Sequence, residues 1–205
     1  MTAAPIAVPL PVPVHMLMER SGQPQDVPDT GAALAAGWLP AVAGAVLSLL
    51  ANTDPANAAL SHTAPGRTDL YLGRNGEDTL HLRIHAAGDP HPYIADDKSA
   101  ALTLSGAVLL EGYTDDAHIQ AGHPQYVREF RPESAYFCYP DTPITVTLTH
   151  DACQLIVTRD PAAPLGPPLT ADGYLNQVKA ASQLLTRAFS PTMQPHPLPT
   201  VTGPA

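Results

Sequence analysis

The chain predicts a mainly β fold, a sandwich or jelly-roll barrel with N-terminal helices before it and one C-terminal helix after it. Three observations point there: a run of short alternating segments between residues 69 and 159, turn residues between nearly every pair of them, and no helical periodicity inside that stretch. A length of 205 residues suits one domain with appendages and buries a substantial core.

The elements follow in order. Residues 1–29 alternate Pro with Val, Ala and Leu and read as an extended arm. Met1 to Val14 has no Lys or Arg, and Pro5, Pro9, Pro11 and Pro13 interrupt its apolar runs. It therefore does not read as a signal peptide, and the expected compartment is the cytoplasm. Residues 30–66 read as a helical pair and linker, with helices over Gly31–Trp38 and Pro40–Ala51 that turn Leu39, Val42, Val46, Leu49 and Leu50 to a core. Thr30 to Thr53 holds no charge and is long enough to cross a bilayer. Its glycines, Pro40 and the flanking Asp29 and Asp54 argue instead for a soluble helical pair, so no membrane contact is expected.

The barrel occupies residues 67–161, with strands over 69–72, 79–85, 100–104, 108–113, 126–131, 135–139, 144–149 and 154–159. Ser105-Gly106 and His150-Asp151-Ala152 read as hairpin turns joining Leu104 to Val108 and Leu148 to Leu155. Residues 162–190 carry the closing helix, capped by Thr170 or Asp172 and running over Tyr174–Phe189. Its apolar face of Leu175, Val178, Leu185 and Phe189 packs on the barrel or on a partner subunit in a homodimer. Residues 191–205 read as a flexible tail.

Charge and composition exclude several functions. A formal net charge of −9 repels phosphate backbones, and 5% aromatics offer little stacking surface, so nucleic acid is not an expected partner. Gly-x-Ser-x-Gly and a glycine-rich phosphate loop are both missing from the sequence. Cys138 and Cys153 fall in strands of one sheet region and read as buried reduced thiols.

The chemistry concentrates on the strand at 79–85. Period-two alternation puts His81, Arg83 and His85 on one face and Leu80, Leu82 and Ile84 on the other. If the polar face looks inward, it lines a pocket for a small-molecule ligand in which Arg83 grips a carboxylate or phosphate in bidentate geometry. If it looks outward, the leucines fill the core and the stripe is a solvated exterior. His81 and His85 stand about 13 Å apart along an extended strand, too far to share a metal. His85 and His91, with Gly88-Asp89-Pro90 between them, can converge as metal ligands or acid/base groups, with Asp89, Asp97, Glu111, His118 or His123 as the third donor. Tyr113, Tyr126, Tyr136 and Tyr139 are candidate pocket phenols or half-buried packing residues. The pairs Asp96-Asp97 and Asp115-Asp116 read as solvated turn acids.

In Tyr71-Leu72-Gly73-Arg74-Asn75, Ile84-His85-Ala86-Ala87-Gly88, Pro90-His91-Pro92-Tyr93, Leu102-Thr103-Leu104-Ser105-Gly106 and Phe130-Arg131-Pro132-Glu133-Ser134-Ala135-Tyr136 the chain resembles the cupin superfamily, and more loosely its cysteine-dioxygenase-like branch. The resemblance spans Asp69 to Pro161. It implies a cupin-like jelly-roll barrel, an enzyme acting on a carboxylate-bearing metabolite with Fe(II) or another divalent metal, and Arg74 as a holder of the substrate carboxylate. The chain departs from that pattern in lacking His-x-His: His91-Pro92-Tyr93 stands where the pair belongs, and Pro143-Ile144-Thr145-Val146 where the later His belongs. The alternative is a metal-free barrel that binds a ligand or serves in assembly without catalysis.

Overall fold

A computed structural model describes residues 42–159 and 166–189, apart from 76–77, 96–97, 133 and 140–141. The arm, the first helix with Leu39 and Pro40, the pair Asp96-Asp97 and the tail lie outside the described residues.

Helix α1 is seen over residues 42–51, and a 3-10 turn follows at Pro55–Leu60, capped by the Asp54 carboxylate on the Ala56 N–H. The strands are β1 (His62–Ala64), β2 (Arg67–Asn75), β3 (Asp78–Ile84), β4 (Tyr93–Ile94), β5 (Ser99–Ser105), β6 (Val108–Gly112), β7 (Tyr126–Phe130), β8 (Ala135–Cys138), β9 (Ile144–Leu148) and β10 (Cys153–Arg159). A short helix α2 (Asp116–Ala121) precedes β7, and α3 (Ala171–Phe189) closes the chain's described part. The eight expected strands are all present, each within three residues of its expected bounds. Strands β1 and β4, the 3-10 turn and α2 were not expected.

The strands form two antiparallel sheets, ordered β1-β2-β3-β10-β5-β8 and β4-β9-β6-β7. From β3 onward the pairing is nested: β3 with β10, β4 with β9, β5 with β8, and β6 with β7. That is one long antiparallel ribbon rolled so that successive pairs fall in alternate sheets, which is a jelly roll. The expected jelly-roll barrel is the architecture the strands adopt.

The roll corrects the two hairpins. β5 and β6 lie in different sheets, as do β9 and β10, so Ser105-Gly106 and His150-Asp151-Ala152 are corners where the ribbon passes from one sheet to the other. The corners brace each other: Ser105 Oγ donates to the Asp151 carbonyl at 2.9 Å, and the Ala107 N–H donates to Thr149 Oγ1 at 2.9 Å. Gly106 is required there, because its φ is +65° and a Cβ would stand 2.5 Å from the Asp151 and Ala152 backbone.

Two cores result. On the outer face of the six-stranded sheet, Leu70, Leu80, Leu82, Ile84, Leu102, Leu155 and Val157 pack against Val42, Val46 and Leu50 of α1 and Tyr174, Val178, Ala181 and Leu185 of α3. Between the sheets lie Tyr93, Ala101, Val108, Leu110, Tyr136, Ile144, Val146, Leu148 and Ile156. Leu175, expected on the buried face of α3, is exposed; the preceding residue, Tyr174, is buried instead, and its hydroxyl bonds to Thr53 Oγ1 and donates to the Tyr71 carbonyl. Cys138 and Cys153 are both buried thiols, the former between the sheets and the latter in the outer core. Among the described residues no helix is long and apolar enough to cross a membrane.

Candidate functional site

Alternation in β3 decides which way its polar stripe looks. Leu80, Leu82 and Ile84 are taken up by the helices on the outer face, so His81 and Arg83 must face the second sheet. Arg83 reaches that sheet: it is only 8% exposed, and its Nη1 donates to the hydroxyl of Tyr93 on β4 at 2.9 Å. The inward alternative is the one the fold adopts.

Asp69 sits directly across β2 from Arg83 and takes it in a fork, from Nε to Oδ1 at 2.6 Å and from Nη2 to Oδ2 at 3.0 Å. Arg67, two residues earlier on the same face, brings its Nε to 3.6 Å from Asp69 Oδ2 and lays its guanidinium over the Tyr93 ring at 4.2 Å. Burial works against a charged Asp69, but Arg83's charge and hydrogen bonds, helped by Arg67, outweigh it and hold the carboxyl at about 2. Burial pushes the Tyr93 phenol upward, so it stays protonated.

His81 stands beside this cluster, edge-on to Tyr71 at 5.7 Å between ring centroids. Its pKa falls to about 4, first through burial and then through the nearby positive groups Arg83, His62 and Arg67, against the pull of Asp69. It is neutral at pH 7, and its Nδ1 is buried with no hydrogen-bond partner. Further along the same inner face, the Gln154 amide donates to the Tyr136 hydroxyl at 3.0 Å, joining β10 to β8.

The remaining expected residues separate. His85, just past the end of β3, meets His150 edge-on at 4.6 Å and leaves its Nε2 buried and unpartnered; burial and His150 lower its pKa. His91 is exposed, and its carbonyl lies over Gly66 in the space a Cβ would need. Arg74 is exposed and pairs across the strands with Thr79, four residues along β3 from Arg83 and so about 13 Å away. Tyr113 donates to Glu111 at 2.9 Å, and Thr145 donates to the same carboxylate oxygen at 3.1 Å. That cluster belongs to the opposite face of the four-stranded sheet from Val108 and Leu110, away from Arg83. Tyr126 is exposed, Tyr136 is buried between the sheets, and Tyr139 is half-buried.

The third-ligand candidates are equally dispersed. His118 pairs with Asp115 at 2.7 Å at the start of α2, Asp89 and His123 are exposed, and Asp97 lies outside the described residues. A divalent transition metal needs three or more converging donors. Among the described residues no three of His, Cys, Asp and Glu come together in that way. The described donors do not make up a centre of that kind.

Sequence reasoning found Arg83 and His81 but passed over Arg67, Asp69, Tyr93 and Gln154. The available signal was the alternation Arg67-x-Asp69, which continues the strand expected at 69–72 by two residues and puts one charge of each sign on a single face.

The topology and this interior cluster define the class: a jelly-roll barrel with a guanidinium–carboxylate cluster between its sheets. No family model matches the chain, and no curated protein matches it. Among solved structures it is similar to an RmlC-like cupin from Shewanella frigidimarina, at 13% identity over 50% of this chain and 83% of that one, with a TM-score of 0.35. It is also similar to KdgF from Halomonas, at 11% identity over 48% of this chain and 85% of that one, TM-score 0.35. A third is the EutQ protein of Clostridium difficile, at 8% identity over 48% and 75%, TM-score 0.33.

Proposed function

We propose that the protein is a cupin-like barrel that binds a small carboxylate-bearing metabolite between its sheets, without a metal, as a cytoplasmic ligand-binding protein. One observation carries the reading: two buried guanidiniums share the single carboxylate of Asp69, while the neighbouring His81 is held neutral. Among the described residues the cluster therefore keeps one unmatched positive charge away from bulk water, a costly arrangement that an anionic ligand relieves. Arg83 has its fork closed by Asp69 and its third nitrogen on Tyr93, so it serves as a fixed floor. Among the described residues Arg67 makes only the long contact to Asp69 and the stacking contact to Tyr93, and it is the group that takes the ligand carboxylate. The unpartnered His81 Nδ1 offers a hydrogen-bonding position beside it.

Were the bound metabolite also turned over, His85 would be the group to exchange its proton, since it is neutral at pH 7 and paired with a second imidazole. Placement in the cysteine-dioxygenase-like branch would demand a metal centre, and the scattered donors argue against it.

Calorimetric titration of the full chain with a panel of short carboxylic acids and their amides tests the reading. Acids should bind saturably and amides should not, and Arg67→Gln should weaken the acids about 10–100-fold with the fold intact. Equal binding of acid and amide, or an Arg67→Gln protein that binds like the parent, refutes it.

A further inference from the structure

We infer that β7 is a homodimer edge, pairing antiparallel with β7 of a second copy about a two-fold axis through Val127. β7 ends the four-stranded sheet, so among the described residues one side of its backbone has no strand beside it. Four of its five residues, Tyr126 through Glu129, are exposed, and Tyr126 at 44% and Val127 at 52% are among the most exposed large apolar groups of the described residues. The opposite end of the same sheet is the two-residue β4, too short to recruit a strand. Helix α3, the other surface on which a partner could sit, has already spent its apolar face on the barrel.

Symmetry and charge together narrow the register. An antiparallel pair of identical strands related by a two-fold axis keeps each sheet face continuous only if the axis passes through a residue and its own copy. An axis through Arg128 would set two guanidiniums face to face, and one through Glu129 two carboxylates; both are repulsive. An axis through Val127 is free of that conflict. It puts Val127 against Val127, Tyr126 against Arg128 of the copy on both sides of the axis, and Gln125 against Glu129. The Tyr126–Arg128 pairing repeats between copies the contact that Arg128 already makes over the Tyr126 ring within one chain, at 5.7 Å. The edge is short, so the dimer forms by mass action and is concentration-dependent.

Sedimentation of the full chain from about 1 µM to about 500 µM should show a rising average mass, and Val127→Lys, which opposes two ammonium groups on the axis, should hold it at the monomer value. Cysteine cross-linking then reads the register, since the native Cys138 and Cys153 are buried. Directly opposed residues have α-carbons about 4.5–5.5 Å apart, within disulfide reach, so Val127→Cys should link at least about ten-fold faster than Arg128→Cys or Glu129→Cys. A chain that stays monomeric throughout, a Val127→Lys protein that associates like the parent, or faster linking at position 128 or 129 overturns the proposal.

Discussion

At the scale of single residues, the interior cluster ties stability to charge. Asp69 is the carboxylate that holds both Arg67 and Arg83, so Asp69→Asn leaves two buried cations without their anion. We expect a loss of roughly 3–5 kcal/mol in urea unfolding, the range for breaking one side of a buried pair. A loss under about 1 kcal/mol would mean that Arg83 is solvated and not enclosed. His81 adds a pH dependence of defined sign. Its pKa drops from 6.5 in the open chain to about 4 in the fold, so between those values the unfolded chain binds a proton that the native one refuses. Stability from this group is full above 6.5 and falls as pH goes down to 4, by at most roughly 3 kcal/mol. Asp69 acts lower, its contribution being complete above 3.8 and lost as pH falls towards 2. Unfolding curves between pH 7.5 and 4 should therefore slope, and His81→Gln should flatten them. An unchanged slope in that variant would place the pH dependence elsewhere.

At the scale of elements, two glycines should respond in opposite directions. Gly44 lies in α1 with open space around its Cβ position and no positive φ, so Gly44→Ala should stabilise by about 0.5–1 kcal/mol through helix propensity. Gly106 turns the corner between β5 and β6 at φ +65° against the backbone of the facing corner. Gly106→Ala should cost at least about 1–3 kcal/mol. Parallel thermal melts of the two variants check both signs at once. This contrast also shows what was readable. Ser105-Gly106 was legible as a turn because a Gly between alternating segments needs only local chemistry. That it joins two sheets and not two neighbouring strands depends on the roll of the ribbon, which no local signal carries. For the same reason β4, two residues long, and β1, inside a stretch of turn-forming residues, were invisible: each is a strand only because β9 or β2 lies beside it.

At the scale of the whole molecule, the barrel depends on its helices. The outer face of the six-stranded sheet is lined by Leu70, Leu80, Leu82, Leu102, Leu155 and Val157, all nearly inaccessible, and α1 and α3 cover them. Ending the chain after Leu169 removes Tyr174, Val178, Ala181 and Leu185 from that face. The shortened protein should bind a hydrophobic dye and aggregate, whereas Leu175→Lys on the exposed side of α3 should behave like the parent. A truncated chain that stays monomeric and dye-free would show that the outer core does not need α3.

The sequence alone determined the eight main strands, the inward or outward partition of β3 and the closing helix, because period-two and helical spacing are properties of neighbouring residues. Helix rotation was already less secure: Tyr174 displaced Leu175 because its hydroxyl finds Thr53 and the Tyr71 carbonyl, partners 121 and 103 residues away. Only the tertiary structure decided which face of β3 is the interior, that Asp69, Arg67 and Tyr93 gather around Arg83, and that His85 meets His150 and not His91. Those are contacts between residues far apart in the chain, set by which sheet each strand joins and by the helices that claim its other side.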